Sequence, residues 1–269
     1  MKHGSGFRIY TIVYLVFLYA PILLLPIFAF NASTIIAFPL SGFTTDWFAQ
    51  LLTIPALVQA VKNSVIIAVS ASILSTCLGI FAARASTRYS FPGKGPIMGL
   101  IMLPLVLPEI IVAVSLLVVL LGIGVNLSFW TVILGHVLIC TPFSIAILNS
   151  AFLSLDQSLE EAAYDLGETK WSTFRLITFP LIMPGIISSL LISFTISLDE
   201  FIIAFFLTGT EPTLPVYIWS QLRFPTKIPA IMALGTILVA LSITLLIIAE
   251  YFRRKGIRKT GRSDTGGFL

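Results

Sequence analysis

The chain has 269 residues, of which 57% are hydrophobic and only 10% are charged. Soluble domains carry about 25% charged residues, so this composition excludes a protein whose surface lies mainly in water. The net charge of +4 would also suit a nucleic-acid-binding protein. The placement of the basic residues between apolar segments explains that charge better as a membrane topology signal, and we expect no nucleic-acid partner.

Six segments of the chain are apolar enough to cross a membrane as helices, a crossing that requires about 20 residues. Outer-membrane β-strands are about ten residues long and alternate in polarity, which these segments do not. The first segment lacks the pattern of a cleaved signal peptide and is expected to be retained. The sequence therefore predicts an all-α integral membrane protein with six transmembrane helices, over residues 9–30, 64–83, 97–121, 129–151, 181–207 and 228–252.

The basic residues fall almost entirely on one side of this topology. If both termini lie in the cytoplasm, the cytoplasmic segments hold 13 of the 16 Lys and Arg residues. Cytoplasmic loops of membrane proteins carry such an excess of positive charge. We therefore predict cytoplasmic termini, a cytoplasmic loop over 152–180 and a basic cytoplasmic tail over 253–269, in a single transmembrane domain spanning residues 1–269.

The third predicted span contains a carboxylate, Glu109. A charged side chain at a helix centre costs about 2.5–3.5 kcal/mol even on the most lenient insertion scale, so such a residue indicates a substrate pathway or a hydrogen-bonded link between helices. On a straight helix that begins at Ile97, Glu109 would lie about 18 Å from the inner end. His136 is a lone histidine in the fourth span, so we expect it to pack in the bundle and predict no metal site.

The cytoplasmic loop is much more polar than the chain around it. Apolar residues within 155–166 recur at helical spacing and predict a short helix, with Glu160 among the acids on its other side. Gly167 is expected to end this helix as a C-terminal cap. A second short helix is predicted from Thr169 until Pro180 stops it. Because an acidic loop is repelled by an anionic inner leaflet, the composition favours a protein partner over contact with lipid headgroups.

The same loop carries a family motif. It reads Glu161-Ala162-Ala163, three residues, Gly167, nine residues, Ile177, any residue and Phe179-Pro180, and it resembles the EAA loop of ABC importer permeases. That pattern has leucine where this chain has Phe179, a change between large apolar residues. The resemblance implies the type I ABC importer permease fold and a coupling helix that docks in a cleft of a separate ATPase subunit. We assign to ATPase coupling Glu160, Glu161, Ala162, Ala163, Asp165, Gly167, Lys170, Ile177 and Pro180.

No phosphate-binding loop of the form G-x-x-x-x-G-K-[ST] occurs in the sequence. ATP hydrolysis is therefore expected on another polypeptide. We expect this subunit not to be an enzyme and to hold no cofactor, with ATP and Mg²⁺ bound by the partner ATPase.

The fifth predicted span holds two adjacent acids, Asp199 and Glu200. Ser189, Ser193 and Ser197 share with Glu200 a stripe within about 80° of arc, which we interpret as facing a water-filled cavity. As for Glu109, the alternative is that the acids link helices by hydrogen bonds.

Acidic walls favour a cation as the transported solute, because no Lys or Arg lies within the predicted spans to bind an anion. Tyr217 and Trp219, in the outer loop that follows the fifth span, offer aromatic faces of the kind that bind organic cations.

Three stretches resemble the permeases of polyamine importers, in particular the smaller second permease of the spermidine/putrescine importer: LPEIIVAVSLLVVL, SLDEFIIAFFLTG and LPVYIWSQLRF. The resemblance implies a multi-pass protein of the bacterial inner membrane, in contact with membrane lipid. It also implies three kinds of protein partner: a homologous second permease, two ATPase subunits and a periplasmic substrate-binding protein. The residues expected on the substrate pathway are Glu109, Asp199, Glu200, Ser193, Ser197, Trp219 and Tyr217.

Two alternatives remain at the level of the sequence. The loop motif is shared by many importers, so the solute could be another small one, such as ferric ion, sulfate or thiosulfate. An ion-coupled secondary transporter could use the acids as proton or sodium sites, although such folds usually contain inverted repeats and none is visible here.

Overall fold

The computed structural model of the protein describes residues 4–259, most of which are α-helical. Among these residues, five helices are long and apolar enough to cross a membrane, or six if one sharply bent pair counts as one span. The prediction of an all-α membrane protein is confirmed. The helices are α1 (Gly4–Ala29), α2 (Asp46–Leu51), α3 (Pro55–Arg88), α4 (Lys94–Met102), α5 (Glu109–Gly122), α6 (Phe129–Ser154), α7 (Gln157–Asp165), α8 (Lys170–Thr173), α9 (Phe179–Asp199), α10 (Ile202–Leu207), α11 (Leu214–Gln221) and α12 (Ile228–Lys259).

The chain divides into two compact units. The first unit contains the residues up to 59 together with 217–241, and the second contains 60–216 together with the residues from 242 onward. The single domain over residues 1–269 stays a prediction. The second unit contains all the candidate site residues except Tyr217 and Trp219, which belong to the first.

In the second unit, apolar side chains from several helices form a buried core. Ile67 of α3, Val132 of α6 and Ile203 of α10 are each almost inaccessible to solvent. Small residues allow the helix backbones to approach closely. A methyl group added at Gly135 would lie 2.5 Å from Cγ2 of Ile203, and one added at Gly185 would lie 2.6 Å from Cβ of Ala151.

In the first unit, a buried asparagine organises the segment that follows α1. The carbonyl oxygen of Asn31 accepts a hydrogen bond from the indole Nε1 of Trp47 at 2.7 Å. The Oδ1 atom of Asn31 accepts another from the backbone N of Ser41 at 3.1 Å. These bonds satisfy polar groups that would otherwise be buried without partners, and they fix the loop between α1 and α2.

The third predicted span is not one helix. Helix α4 continues through a 3₁₀ turn at Leu103–Leu105, and α5 then leaves at an angle, so that the two parts are bent by 104°. Two prolines four residues apart, Pro104 and Pro108, lack the N–H groups that would continue the helical ladder, and each disfavours a helical residue before it. The predicted span over 97–121 is thus a bent pair of helices, and the depth of Glu109, which assumed one straight helix, is wrong.

The fifth predicted span starts earlier and ends earlier than expected. A continuous helical segment of 30 residues runs from Lys170 to Asp199 and includes α8, a π-helical stretch at Phe174–Thr178 and α9. Pro180 does not stop this helix, because it lies in the first turn of α9 directly after the wider π-helical turns. The chain leaves the helix at Glu200 and resumes as α10, so the predicted span over 181–207 is interrupted near its outer end.

The last helix is longer than its predicted span. Helix α12 continues through residues 253–259, which the sequence assigned to a basic tail. Residues 260–269 of that predicted tail lie outside the described part of the chain.

Candidate functional site

The loop that carries the family motif contains one well-defined short helix. The Oδ1 atom of Asp156 accepts a hydrogen bond from the backbone N of Ser158 at 3.0 Å and caps the start of α7. At the other end, Gly167 has a φ of +89°, and its N donates to the carbonyl oxygen of Tyr164 at 2.9 Å. Such a left-handed residue after a helix favours glycine. The predicted helix and its glycine cap are confirmed.

The second half of the loop joins the membrane helix directly. The Oγ1 atom of Thr169 accepts from the backbone N of Ser172 at 3.2 Å and caps α8. The helical path then continues through the π-helical stretch into α9. The loop therefore consists of one separate short helix, α7, followed by an extension of the fifth membrane helix.

Helix α7 presents an apolar surface to the outside of the chain. Leu159, Ala162 and Leu166 lie at spacings of three and four residues and share one face. The side chains of Leu159 and Leu166 are 46% and 86% exposed, and Ala162 is also exposed. We call these three residues the coupling surface. The acid Glu161 beside it is exposed as well, so the surface offers apolar contact next to a negative charge.

The opposite side of α7 faces its own chain. Glu160 is buried, and its Oε2 atom lies 2.6 Å from Nε of Arg88, the last residue of α3. Its Oε1 atom accepts a hydrogen bond from Oγ1 of Thr178 at 2.6 Å. The sequence predicts Glu160 on the polar side of this helix, away from its apolar face, whereas the structure buries it against the rest of the chain. Helical periodicity assigns residues to a common face, but it does not tell which face meets the rest of the chain.

The residues assigned to ATPase coupling differ in exposure, and their contribution to coupling stays a prediction. Lys170 lines a cavity of about 180 Å³ together with Arg84 and Glu161. The exposed members are Glu161, Ala162, Asp165, Gly167, Lys170 and Pro180, Ile177 is half-buried, and Glu160 and Ala163 are buried.

Two acids that are far apart in sequence meet in the second unit. Glu109 is the first residue of α5, directly after the break in the third span. Glu200 lies in the break between α9 and α10 and is only 8% exposed. Their carboxyl groups are close enough to interact electrostatically. Two neighbouring carboxylates repel each other when both are ionised, so a cation bound between them would be favoured.

The geometry of Glu200 follows from the interrupted helix. Its Oε1 atom accepts a hydrogen bond from the backbone N of Ile203 at 2.9 Å, which holds the carboxylate at the start of α10. Helix α10 packs against both α5 and α6. The two helix breaks, one in each predicted span, therefore bring the two acids together.

Asp199 has different neighbours from Glu200. It is the last residue of α9, and its Oδ2 atom accepts a hydrogen bond from Oγ of Ser242 on α12 at 3.1 Å. Asp199 therefore links two long helices, as the alternative interpretation of the acids expected, and its side chain remains exposed.

The serine stripe of the fifth span faces the bundle and does not face a cavity. Oγ of Ser193 lies 2.9 Å from Oγ of Ser144, and Oγ of Ser197 lies 2.7 Å from Nδ1 of His136. All four residues are buried. The interpretation of Ser193 and Ser197 as cavity-lining is wrong for this structure, because Ser144 and His136 of α6 lie opposite them and bind their hydroxyl groups. The predicted packing role of His136 is confirmed.

The two aromatic candidates lie on a helix that the sequence did not predict. Tyr217 and Trp219 belong to α11, within the segment read as an outer loop. Tyr217 is half-buried, and Trp219 is 56% exposed. Tyr217 lines a cavity of about 190 Å³ in the first unit, together with Gln221 and Lys227. Contact with substrate stays a prediction for both aromatic residues.

The family model and the related proteins that match this chain are all membrane components of transport systems. The family described as "Binding-protein-dependent transport system inner membrane component" matches residues 75–258. The "Spermidine/putrescine transport system permease protein PotC" of Escherichia coli (strain K12) is 34% identical over 239 residues, 88% of this chain and 90% of that protein. The "Putrescine transport system permease protein PotI" of the same strain is 36% identical over 262 residues, 93% of this chain and 92% of that protein.

A solved structure shares the fold. One chain of the crystal structure of a bacterial ABC transporter involved in the import of the acidic polysaccharide alginate superposes with a TM-score of 0.68 and 21% sequence identity. The alignment covers 93% of this chain and 94% of that chain.

Proposed function

This chain belongs to the family of binding-protein-dependent transport system inner membrane components, and from that premise we propose that it is a permease subunit of an ABC importer for polyamines. It is a multi-pass protein of the bacterial inner membrane. The relatives named above, a spermidine/putrescine permease and a putrescine permease, support the polyamine as solute. Family membership removes the ion-coupled secondary transporter from consideration.

The observation that carries the substrate class is the proximity of Glu109, the first residue of α5, and Glu200, just before α10, two helices that pack against each other. Two neighbouring carboxylates repel each other when both are ionised in a low-dielectric site. A primary ammonium group carries a positive charge and three N–H donors, so it can bind both carboxylates at once. The helical segments around the pair contain no Lys or Arg over 97–121 and 181–207, which favours a cation over sulfate or thiosulfate.

The coupling surface supports a soluble motor as partner. Covering an exposed apolar face of a short helix with a protein cleft is energetically favourable. Glu161 at the edge of this face can form an ion pair with a basic residue of that cleft. In this proposal the termini and α7 lie in the cytoplasm, two ATPase subunits bind ATP and Mg²⁺, and this subunit is not an enzyme. A second permease and a periplasmic binding protein complete the importer, which alternates between two states as ATP binds and is hydrolysed.

The test is solute-dependent ATP hydrolysis by the reconstituted importer, with purified binding protein, two permeases and ATPase subunits in proteoliposomes. We expect putrescine or spermidine to stimulate hydrolysis and to be taken up, whereas sulfate, thiosulfate and ferric ion have no effect. A matched panel without binding protein measures the unstimulated rate. Stimulation by one of the anions, or by ferric ion and not by polyamines, would overturn the proposed substrate class.

A further inference from the structure

Two neighbouring acids of α7 differ sharply in environment. Glu161 is exposed beside the coupling surface, whereas Glu160 is buried against its own chain. The side chains of Arg88 and Glu160 are only 9% and 7% exposed, and their charged atoms lie 2.6 Å apart. We call Arg88, Glu160 and Thr178 the Glu160 cluster.

The Glu160 cluster joins three elements that are separate in sequence. Arg88 ends α3, Glu160 lies on α7, and Thr178 ends the π-helical stretch that leads into α9. Each oxygen of the Glu160 carboxylate bonds to a different one of these elements. The Nη2 atom of Arg88 also donates to the carbonyl oxygen of Leu155 at 3.2 Å, just before α7 begins. Any displacement of α7 therefore acts on both α3 and α9.

A second contact repeats the connection between α3 and the segment before α9. The guanidinium carbon of Arg84, one turn before Arg88, lies 4.6 Å from the ring centroid of Phe174 in the π-helical stretch. The Nε atom of Arg84 is buried and has no hydrogen-bond partner within residues 4–259. This contact is less directional than the Glu160 cluster, because it lacks a charged partner, so the cluster is the specific link.

Breaking the cluster by moving one member away would leave the other charge buried and uncompensated, which is strongly unfavourable. Glu160 therefore cannot turn outward to bind a partner without this cost. We infer that Glu160 is a positioning residue, which fixes α7 to α3 and α9 and transmits its displacement to them, and that it does not contact the ATPase. Helix α9 carries the displacement toward its last residue, Asp199, adjacent to Glu200. This inference rests on the proposed function.

The test compares Glu160→Gln with Glu161→Gln in the complete reconstituted importer. Glutamine at position 160 keeps the size of the side chain but loses the charge that pairs with Arg88. We expect Glu160→Gln to retain the ATPase subunits on purification and to lower the polyamine taken up per ATP hydrolysed by about 5- to 150-fold, the usual range of coupling between sites. Glu161→Gln, which alters the exposed acid, is expected to weaken retention of the ATPase subunits.

A charge exchange separates positioning from folding. The double variant Glu160→Arg with Arg88→Glu restores an ion pair between the same two positions. We expect it to recover much of the uptake per ATP that Glu160→Arg alone or Arg88→Glu alone loses. A purely structural role would lower yield, hydrolysis and uptake in parallel and leave their ratio unchanged.

Three results would overturn the inference: unchanged uptake per ATP in Glu160→Gln, loss of the ATPase subunits from that variant, or no recovery in a well-folded charge exchange. Failure of the proposed function looks different, because the wild-type complex itself would then lack polyamine-stimulated hydrolysis.

Discussion

Asp199 and Glu200 are adjacent in sequence, yet their carboxylates bind to different elements. Asp199 accepts a hydrogen bond from Ser242 of α12, whereas Glu200 accepts one from the backbone N of Ile203 in α10 and lies near Glu109. Asparagine can still accept the bond from Ser242, whereas glutamine at position 200 cannot carry the negative charge that binds an ammonium group. The two positions should therefore respond differently to loss of charge.

We predict that Glu200→Gln lowers polyamine uptake by about 10- to 150-fold, because hydrogen bonds to charged groups contribute about 1.5–3 kcal/mol. Asp199→Asn should lower uptake by less than about threefold, the scale of one hydrogen bond between membrane helices. Uptake of labelled putrescine into membrane vesicles measures both, with complex yield as the control for folding. Equal losses in the two variants would contradict the different roles assigned to these acids.

At the scale of elements, the position of Glu200 depends on how closely α10 packs against α6. A methyl group at Gly135 would lie 2.5 Å from Cγ2 of Ile203 and 2.6 Å from Cδ1 of Leu207, both on α10. Neither contact can be accommodated without moving a side chain or the helix, because both apolar residues are fully buried. Gly99 in α4 is a matched control, since a methyl group there meets nothing within 4 Å.

We predict that Gly135→Ala destabilises the permease by about 1–3 kcal/mol, as overpacking of a close-packed core does. Gly99→Ala should be neutral or stabilise by up to about 1 kcal/mol, because alanine favours the helix. Thermal unfolding of the detergent-solubilised complex measures the difference, and polyamine uptake reports whether displacement of α10 reaches Glu200. A Gly135→Ala variant as stable as Gly99→Ala would show that α10 does not pack as described.

The elements that were predictable from the sequence are those with strong local signals. Apolar periodicity predicted α7, and the glycine at position 167 predicted where it ends. Both signals come from residues that are close together in the chain. The break before α5 had a signal in Pro104 and Pro108, but the length of the apolar run outweighed it. Pro180 gave the opposite error, because the π-helical turns that accommodate it have no clear sequence signature.

Side-chain partners were less predictable than helices. The serine stripe of α9 was identified correctly, but a stripe does not specify its neighbour, and polar groups of α6 and α3 cover it. The burial of Glu160 and the meeting of Glu109 with Glu200 depend on contacts between distant parts of the chain. Such contacts come from tertiary packing, and the periodicity of a single helix does not indicate which other helices it packs against.

At the scale of the whole molecule, α9 connects the two features on which function depends. One end of the continuous helical segment follows α7 and its coupling surface, and the other reaches Asp199 beside the acid pair. The helical backbone is unbroken between these ends, and packed secondary elements of this kind can carry a displacement from one site to another. We therefore expect ATPase binding and solute handling to depend on opposite ends of this segment. A charge reversal at one end should then affect one of these properties and not the other.

We predict that Glu161→Lys abolishes ATPase binding and lowers polyamine uptake at least about 30-fold, because it replaces an attractive charge contact with a repulsive one. Glu211→Lys is the matched control: it makes the same charge reversal in an exposed segment on the opposite side of the predicted topology. Co-purification of the ATPase subunits and binding of the loaded binding protein to the membranes measure the two ends separately. Glu161→Lys should lose the first and keep the second, and Glu211→Lys should retain the ATPase. Retention of the ATPase by Glu161→Lys, or its loss from Glu211→Lys, would contradict both the coupling surface and the proposed orientation of the chain in the membrane.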